Sequence, residues 1–453
     1  AFEGPETDSL LGPTVSEALR TDLAQSTTLT VMPTTSVREA LQRMQRPANS
    51  RVDFALAREI AVREGIKAVV EGQIVSLGGG YVLSARLVAV QGGEDLAEFR
   101  ETATDAAGII PAISRMAKKL REKAGEPLRT IQKAQSLERL TTGSLLALQQ
   151  YVAAERTLIE SGDWKAARPM FEEALRLDTT FAMAYRKLAI EMNNRDYSRD
   201  TVIAVIQKAY DHRERLSQTE RLLTEAGYYY FGPRPDRSRL VAAYQSLLEL
   251  EPQNVAALNN LAVQLQHLRK FADAEALARR AIEVQGAAAF YNNVFWSQVA
   301  QGKLDSAAAT HRAFAVALPR NPSVARMEAM LLATRGDYGA ATAVMDSLRR
   351  ARVREPSVTQ TTDAWLGVYA MSEGRLADAG RWLQSGRQAS NSLGNREARL
   401  HALLDRVEID AIFRPGSDNT LPSLERALRE QPLDSIPRAS RPYYRLVHLY
   451  APL

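Results

Sequence analysis

The sequence of 453 residues contains no cysteine. Disulfide frameworks, thiolate metal sites and cysteine nucleophiles are therefore all excluded. This absence does not fix the cellular compartment, because a chain without cysteine suits an oxidising space and a reducing space alike.

Long apolar runs are also missing from the sequence. No stretch reaches the roughly 18 consecutive apolar residues that a membrane-spanning helix needs. The first six residues, Ala1-Phe-Glu-Gly-Pro-Glu, are acidic, lack the apolar centre of a signal peptide and do not begin with methionine. We expect the chain to be a processed or truncated part of a longer protein.

Catalytic motifs are a third absence. The sequence has no Gly-x-Ser-x-Gly elbow, no protein-kinase motif set and no Walker motif. The glycines at 78–80 lie between two predicted strands and not before a helix, so they predict a hairpin and not a phosphate loop. The histidines are far apart in the chain, without a second metal ligand at a familiar spacing: His212, His267, His311, His401 and His448. We therefore predict a non-catalytic protein without a cofactor or a metal.

The charge distribution gives no sign of a nucleic-acid partner. The formal net charge is +5 and the isoelectric point is near 9.3. Nucleic-acid-binding proteins usually concentrate basic residues on one face or arm. Here the densest basic run, Arg115 to Lys123, falls on one predicted helix and is best interpreted as a solvated helix face. No nucleic-acid partner is predicted.

A short turn pattern recurs along the chain. It consists of a glycine or arginine, a charged residue, a large apolar residue and, three residues later, an alanine. The copies begin at Gly162, Arg269, Gly302, Gly336 and Gly374, and from Arg269 onward they are 33, 34 and 38 residues apart. Glycine can adopt the left-handed conformation that ends a first helix, and alanine lets the second helix approach it closely.

This pattern, with its period near 34 residues, resembles the tetratricopeptide repeat. The Leu366-Gly367 pair matches the first helix of that repeat in the last copy. The resemblance implies an all-α superhelix over residues 144–394, capped by terminal helices at 395–453. Two further helix pairs, 184–209 and 219–250, fit the period although their turns are irregular. A superhelix of this kind implies a protein or peptide partner.

Residues 1–126 follow a different pattern, which predicts a small α+β domain with a β-sheet and helices. The predicted helices are 14–23, 36–44, 52–64 and 109–123, with Ser36 as a helix cap. The predicted strands are 28–32, 68–75, 81–90 and 96–104.

Other segments connect and end these two regions. Residues 127–143 are predicted to be a hinge before a long helix at 145–159. At the other end of the chain, we predict helices at 395–413, 421–430 and 441–449, with a loop at Pro415 to Asp418.

The order of elements in residues 1–126 resembles the TolB-like or FlgO-like domain. The resemblance is carried by the helix at 15–23, the segment Leu29 to Leu41 and, above all, Ala57 to Ile74 followed by Tyr81 to Val88. It implies a further strand and a membrane helix before Phe2. A domain of this kind followed by tetratricopeptide repeats is similar to the extracytoplasmic half of bacterial membrane-anchored Ser/Thr kinases and related one-component regulators.

Two groups of residues are candidate binding sites. Alignment of the repeats on their turns places Asn259 with Asn292 and Arg326, and Asn260 with Asn293, on the helices that line the inner face of a tetratricopeptide superhelix. Such asparagines can bind a peptide backbone, and arginine can bind a carboxylate. The alternative is that they are solvated or helix-capping residues.

The second candidate site is the aromatic run that precedes a proline turn: Tyr228, Tyr229, Tyr230 and Phe231. These residues either form an exposed binding patch or pack an irregular junction between repeats, and the second interpretation is favoured.

Two functions are consistent with these patterns. The first is a sensory or scaffolding module on the periplasmic face of the inner membrane, attached to the membrane only through a helix that precedes the chain. The second is a freestanding periplasmic or secreted assembly protein that forms an oligomer or an envelope complex. A cytoplasmic location and homo-oligomer formation both stay open.

Overall fold

A computed structural model describes residues 2–32, 34–47, 50, 52–195, 197, 199–392, 396–413, 419–436 and 441–450. The chain forms two compact units. The N-terminal unit comprises Ala1–Met192 and Ile203–Tyr228, and the C-terminal unit comprises Asn193–Val202 and Tyr229–Leu453. The predicted boundaries at 126, 143 and 394 stay a prediction.

The N-terminal unit contains a four-stranded sheet of β1 (Phe2–Glu3), β2 (Ala68–Leu77), β3 (Gly80–Ala89) and β4 (Asp95–Ala103), in that spatial order. β1 pairs parallel to β2, and the other pairs are antiparallel. The β2–β3 hairpin turns at Gly78 and Gly79, which both have positive φ. An added Cβ atom at Gly72 would lie 2.4 Å from the Phe2 ring, so glycine lets β1 pack closely on β2.

Helices cover the sheet and complete the predicted α+β domain, which is confirmed. They are α1 (Leu11–Leu23), α2 (Thr34–Arg43), α3 (Phe54–Arg63) and α4 (Ile109–Lys123). The alternating residues Ile74, Leu83 and Ala85 are buried on one face of the sheet, and α4 packs against β3 and β4. Asp53 caps α3 by accepting a hydrogen bond from the Leu56 N–H.

Two local predictions in this domain are wrong. Thr28 to Met32 does not form a strand. The N–H groups of Thr28 and Leu29 donate to the Ser26 hydroxyl, so local side-chain bonds replace a strand ladder there. Ser36 does not cap α2, because that helix already begins at Thr34.

The predicted hinge contains two short helices, α5 (Leu128–Lys133) and α6 (Leu137–Leu140). Ile131, Leu137 and Leu140 are buried, so this segment is packed into the N-terminal unit. Just before it, Arg121 and Glu126 form a fully buried ion pair at 2.8 Å.

The described residues after this segment are mainly helical, and the predicted repeat array is confirmed. The first repeats are formed by α7 (Leu145–Ser161), α8 (Trp164–Leu177), α9 (Ala182–Asn193), α10 (Arg199–Asp211), α11 (Gln218–Phe231) and α12 (Arg237–Leu250). They continue with α13 (Val255–His267), α14 (Phe271–Val284), α15 (Ala288–Ala300), α16 (Leu304–Ala317), α17 (Pro322–Thr334), α18 (Tyr338–Ala351), α19 (Pro356–Ser372) and α20 (Leu376–Ser392).

Three terminal helices follow: α21 (Arg396–Phe413), α22 (Thr420–Glu430) and α23 (Tyr443–Tyr450). They agree with the three predicted terminal helices and share one buried cluster that includes Leu404, Leu424 and Leu446. The predicted loop at Pro415 to Asp418 lies outside the described residues.

The turn pattern has the backbone conformation and the packing that the sequence predicts. The turn glycines and Arg269 all have positive φ, and the large apolar residue of each copy begins the second helix. The alanines three residues later are fully buried between paired helices: Ala167, Ala274, Ala307, Ala341 and Ala379.

Candidate peptide-binding surface

The predicted groove residues lie on a single surface of the C-terminal unit. Its first helices are α13, α15, α17 and α19, and α15 contacts both α13 and α17. The surface of these four helices is named here the first-helix face. It carries all five predicted residues, each half-buried: Asn259, Asn260, Asn292, Asn293 and Arg326.

Three of the asparagines form a hydrogen-bonded chain. Asn293 Nδ2 donates to Asn259 Oδ1 at 2.8 Å, and Asn259 Nδ2 donates to Asn260 Oδ1 at 2.9 Å. Asn260 Nδ2 donates to the Tyr244 hydroxyl at 3.1 Å, and burial raises the pKa of Tyr244 to about 12. Each amide nitrogen carries two hydrogens, and each of the three donates one of them in the bonds described.

The link between repeats joins positions that are not equivalent in the turn alignment. Asn293 is equivalent to Asn260, and its amide bonds to Asn259. Packed helices cross at an angle, so the nearest side chains are diagonal neighbours. Gln266 Nε2 strengthens the same junction by donating to the Asn293 backbone oxygen at 2.8 Å.

Arg326 is joined to Asn292 through Ser323. The guanidinium of Arg326 donates to the Ser323 hydroxyl, which also lies 3.4 Å from Asn292 Nδ2. Burial lowers the pKa of Arg326, and no described residue supplies a carboxylate that compensates for this burial. A half-buried cation without a counter-ion is unfavourable in the free protein, and a bound anion removes that penalty.

A row of apolar side chains lies one helical turn from this polar row. Its members are the residues that stand six positions before the turn residue of each copy: Val263, Trp296, Met330 and Val368. Trp296 is 39% exposed and Val368 is 41% exposed, and the other two are half-buried. The Trp296 ring stacks on Trp365 of α19, with ring centroids 6.1 Å apart and planes at 15°.

The sequence prediction omitted both tryptophans, although a signal was present. Trp296 follows Asn292 by one turn, and Trp365 occupies the same turn-relative position as Asn293. The stack itself joins helices two repeats apart, so only the structure shows it.

The aromatic run at 228–231 is divided between several environments. Tyr228 stacks on Tyr210 within the N-terminal unit, with ring centroids 3.9 Å apart. In the C-terminal unit, the Arg239 guanidinium lies 5.6 Å from the Tyr229 ring centroid, and Tyr230 meets Phe231 edge to face. Tyr230 is 49% exposed, whereas Phe231 is only 5% exposed. The four side chains therefore do not share one exposed surface.

Metal clusters and membrane-spanning helices are absent from the described residues. No group of three or more His, Cys, Asp or Glu side chains in these residues is placed to hold a metal ion. None of the helices within the described ranges combines the length and apolar composition that crossing a membrane requires.

Residues 243–276 match the family model of the tetratricopeptide repeat. The chain carries tetratricopeptide repeats. The matched segment includes all of α13 with Asn259 and Asn260, the turn at Arg269 and the start of α14. The other tetratricopeptide turns repeat the left-handed geometry of this one.

Solved structures of other tetratricopeptide proteins are similar to the chain at low sequence identity. A tetratricopeptide repeat protein from Parabacteroides merdae is 13% identical, with 63% of this chain and 100% of that chain covered and a TM-score of 0.42. The YrrB protein, which has an unusual peptide-binding site, is 16% identical, with coverage of 42% and 94% and a TM-score of 0.25.

Human IFIT1, solved as a dimer with m7Gppp-AAAA, is 11% identical, with coverage of 92% of this chain and 99% of that chain and a TM-score of 0.45. No curated protein matches the sequence.

Proposed function

We propose that the chain is a non-catalytic interaction module whose first-helix face binds a protein or an extended peptide. Tetratricopeptide repeats typically serve as interaction or scaffolding modules, which supports this class of function. The observation that carries the proposal is Arg326, a half-buried cation without a carboxylate partner among the described residues. It lies on the same face as Asn259, Asn260 and Asn293, each of which donates one of its two amide hydrogens within the chain.

The geometry suggests how a peptide is held. The second N–H groups of Asn259, Asn260 and Asn293 donate to carbonyl oxygens of an extended peptide. Arg326 binds the terminal carboxylate of the same peptide by a charge-assisted hydrogen bond. Because the cation is already half-buried, a carboxylate gains more there than at a fully exposed arginine.

The binding proposal is tested with fluorescein-labelled random decapeptides, prepared with a free carboxyl end or as C-terminal amides. Free acids are expected to bind more tightly than amides, and Arg326→Gln is expected to weaken free-acid binding by roughly tenfold to a hundredfold. Arg350→Gln is the matched control, because Arg350 is 70% exposed on α18 and is expected to leave binding unchanged. Equal binding of acids and amides contradicts the role of Arg326.

The wider proposal is that the module is the extracytoplasmic part of a membrane-anchored bacterial signalling protein of the Ser/Thr kinase type. It rests on the resemblance of residues 1–126 to a TolB-like or FlgO-like domain ahead of tetratricopeptide repeats. The coding frame upstream of Ala1 tests it. A kinase, cyclase or winged-helix domain followed by one membrane helix is the expected result. A signal peptide that leads directly into Phe2 favours the freestanding periplasmic or secreted assembly protein.

A further inference from the structure

The outer strand at one end of the sheet is β4, and its far edge has no neighbouring strand among the described residues. From Ala97 to Ala103 this strand pairs regularly with β3. An open edge of this kind presents unpaired backbone N–H and C=O groups and can pair with a strand from another chain. The edge of β4 is therefore a candidate interface, and its residues decide which partner it fits.

The turn between β2 and β3 determines which backbone groups of β4 face the open edge. A two-residue turn at 78–79 makes the residues on either side of it a hydrogen-bonded pair. Alternate residues of β3 consequently bond to β2, and the residues between them, which include Ala85, bond to β4. Ala85 lies opposite Phe99, so the backbone of Phe99 bonds to β3. Glu98 and Arg100 flank Phe99, and their backbone groups therefore face the open edge.

Two opposite charges stand at this edge. The side chains of Glu98 and Arg100 are both exposed and, being two residues apart, lie on the same face of the sheet. Arg86 of β3 lies opposite Glu98 but forms its ion pairs with Glu71 and Asp95. Within the described residues, neither Glu98 nor Arg100 forms an ion pair. Charged residues on an edge strand oppose pairing with most strands, so a partner strand must place complementary charges opposite them.

A second copy of β4 supplies those charges. When two β4 strands pair antiparallel about Phe99, Glu98 of each copy lies opposite Arg100 of the other. The outward backbone groups of both residues then meet as hydrogen-bonded pairs. The two Phe99 residues form the closely spaced pair between them, which brings two aromatic side chains together. The contact is the same on both copies, as a two-fold dimer requires.

The neighbouring registers do not give this match. A shift of one residue places outward backbone groups opposite inward ones, so the hydrogen bonds are lost. A shift of two residues places Glu98 opposite Glu98 in one direction, or Arg100 opposite Arg100 in the other. Like charges directly opposite each other destabilise a strand pair. The two charges therefore specify the register as well as the partner.

We infer that β4 is a dimer interface at which a second copy of this chain pairs antiparallel about Phe99, so that the two sheets join into one. At one end of the strand, Arg115 Nη2 donates to the Thr102 carbonyl oxygen at 2.9 Å, which partly occupies the edge there. The interface is therefore centred on residues 98–100. It uses no residue of the first-helix face, so this inference and the proposed peptide binding are tested separately.

Analytical ultracentrifugation of the full chain tests the interface. The concentration series reaches about 200 μM, because a strand edge buries a small area and the dimer is expected to be weak. Glu98→Arg and Arg100→Glu are each expected to raise the dimer Kd about tenfold or more, since each replaces both opposite-charge pairs with like-charge pairs. Glu122→Arg, the same charge change at an exposed position on α4, is the control and is expected to leave the Kd unchanged.

Complementation tests the register. An equimolar mixture of the Glu98→Arg and Arg100→Glu chains is expected to form mixed dimers, because opposite charges again face each other in both pairs. The chain that carries both substitutions is expected to regain the natural dimer, because its charges are exchanged but still complementary. Far-ultraviolet circular dichroism and thermal unfolding check that each variant is folded.

The results that would overturn the inference are distinct. If the natural chain stays monomeric throughout the series, or if it forms a dimer that neither charge reversal weakens, β4 is not the interface. If both reversals weaken the dimer but neither the mixture nor the doubly substituted chain recovers it, the pairing of Glu98 with Arg100 about Phe99 is wrong.

Discussion

Asp22 shows how burial alone changes the chemistry of one residue. It is 2% exposed on α1, and Ser114 donates its hydroxyl hydrogen to Asp22 Oδ2 at 2.8 Å. Burial raises the pKa of Asp22 to about 6, although Ser114, Arg121 and Lys118 favour the ionised form. The folded state therefore keeps a proton that the unfolded state releases near pH 4. The free energy of unfolding consequently falls as the pH rises from about 4 to about 6.

Asp22→Asn is expected to stabilise the N-terminal unit at pH 7, because the amide cannot ionise. The upper limit of the gain is about 3 kcal/mol, from a pKa difference of about two units. At pH 4 the variant and the natural chain are expected to have nearly equal stability. Denaturant unfolding at both pH values measures the difference, and a gain that is the same at pH 4 and pH 7 contradicts the assignment.

Arg269 is a second unusual residue, because it occupies a turn position that glycine fills in the other copies. Its φ is +59°, and a residue with a side chain is strained in this left-handed region. Arg269→Gly is expected to raise the free energy of unfolding by about 1 kcal/mol.

Gly302→Ala is the reciprocal test of backbone strain at the same turn position. A Cβ atom at Gly302 meets no atom within 4 Å, so backbone conformation alone is expected to cost about 1 kcal/mol. Thermal unfolding of both variants measures the two effects. Shifts of the same sign for Arg269→Gly and Gly302→Ala would refute this account of the turn.

At the scale of residues, the sequence predicted which polar residues lie on the candidate surface but not which side chains contact each other. Equivalent positions in the repeats identified the asparagines and Arg326, because every repeat presents the same helix positions to one face. The diagonal bond from Asn293 to Asn259 and the stack of Trp296 on Trp365 depend on how helices cross. A one-dimensional alignment does not contain that angle.

At the scale of elements, the periodic patterns predicted most helices and strands. Helix α4 spans the residues that the sequence indicated. Helices α14, α16, α18 and α20 are the second helices of their pairs, and each begins at the large apolar residue of the turn pattern. The wrong strand at Thr28 to Met32 has a physical reason. β-branched residues favour a strand only where a neighbouring strand supplies hydrogen bonds, and here Ser26 supplies them to the backbone instead.

The ion pair between Arg349 and Asp363 joins three helices. Arg349 of α18 donates to the fully buried Asp363 of α19 at 2.5 Å and to Ser385 of α20 at 3.0 Å. Its guanidinium also lies 5.2 Å from the Trp382 ring centroid. Removal of Asp363 leaves the Arg349 guanidinium, which is 26% exposed, without its carboxylate partner, and removal of Arg349 leaves the buried carboxylate unpaired.

Asp363→Ala is therefore expected to lower the free energy of unfolding by about 3 kcal/mol or more, and Arg349→Met in the same chain is expected to recover much of the loss. Asp346→Ala is the control, since it breaks the exposed pair with Arg350 and is expected to cost under about 1 kcal/mol. Chemical denaturation of the three variants gives the comparison, and equal losses for Asp363→Ala and Asp346→Ala would rule out the buried pair as a stabilising link.

At the scale of the whole molecule, the fold class follows from the sequence more readily than the function does. A small sheet domain ahead of a tetratricopeptide array was predictable, because both periodicities are written in the residue order. The identity of a ligand depends on side chains from several repeats that meet on one face. The kinase-type context and the TolB-like or FlgO-like assignment stay predictions, as does the periplasmic location.

Photo-cross-linking tests the central claim most directly. A benzophenone amino acid replaces Val368 on the first-helix face or, as the control, Val316 on the second helix α16, both of which are exposed valines. Each variant is irradiated with the labelled decapeptides that have a free carboxyl end. The account predicts labelling at 368, suppressed by unlabelled free acid and not by the amide, with little labelling at 316. Equal labelling at both positions, or labelling at 316 alone, contradicts it.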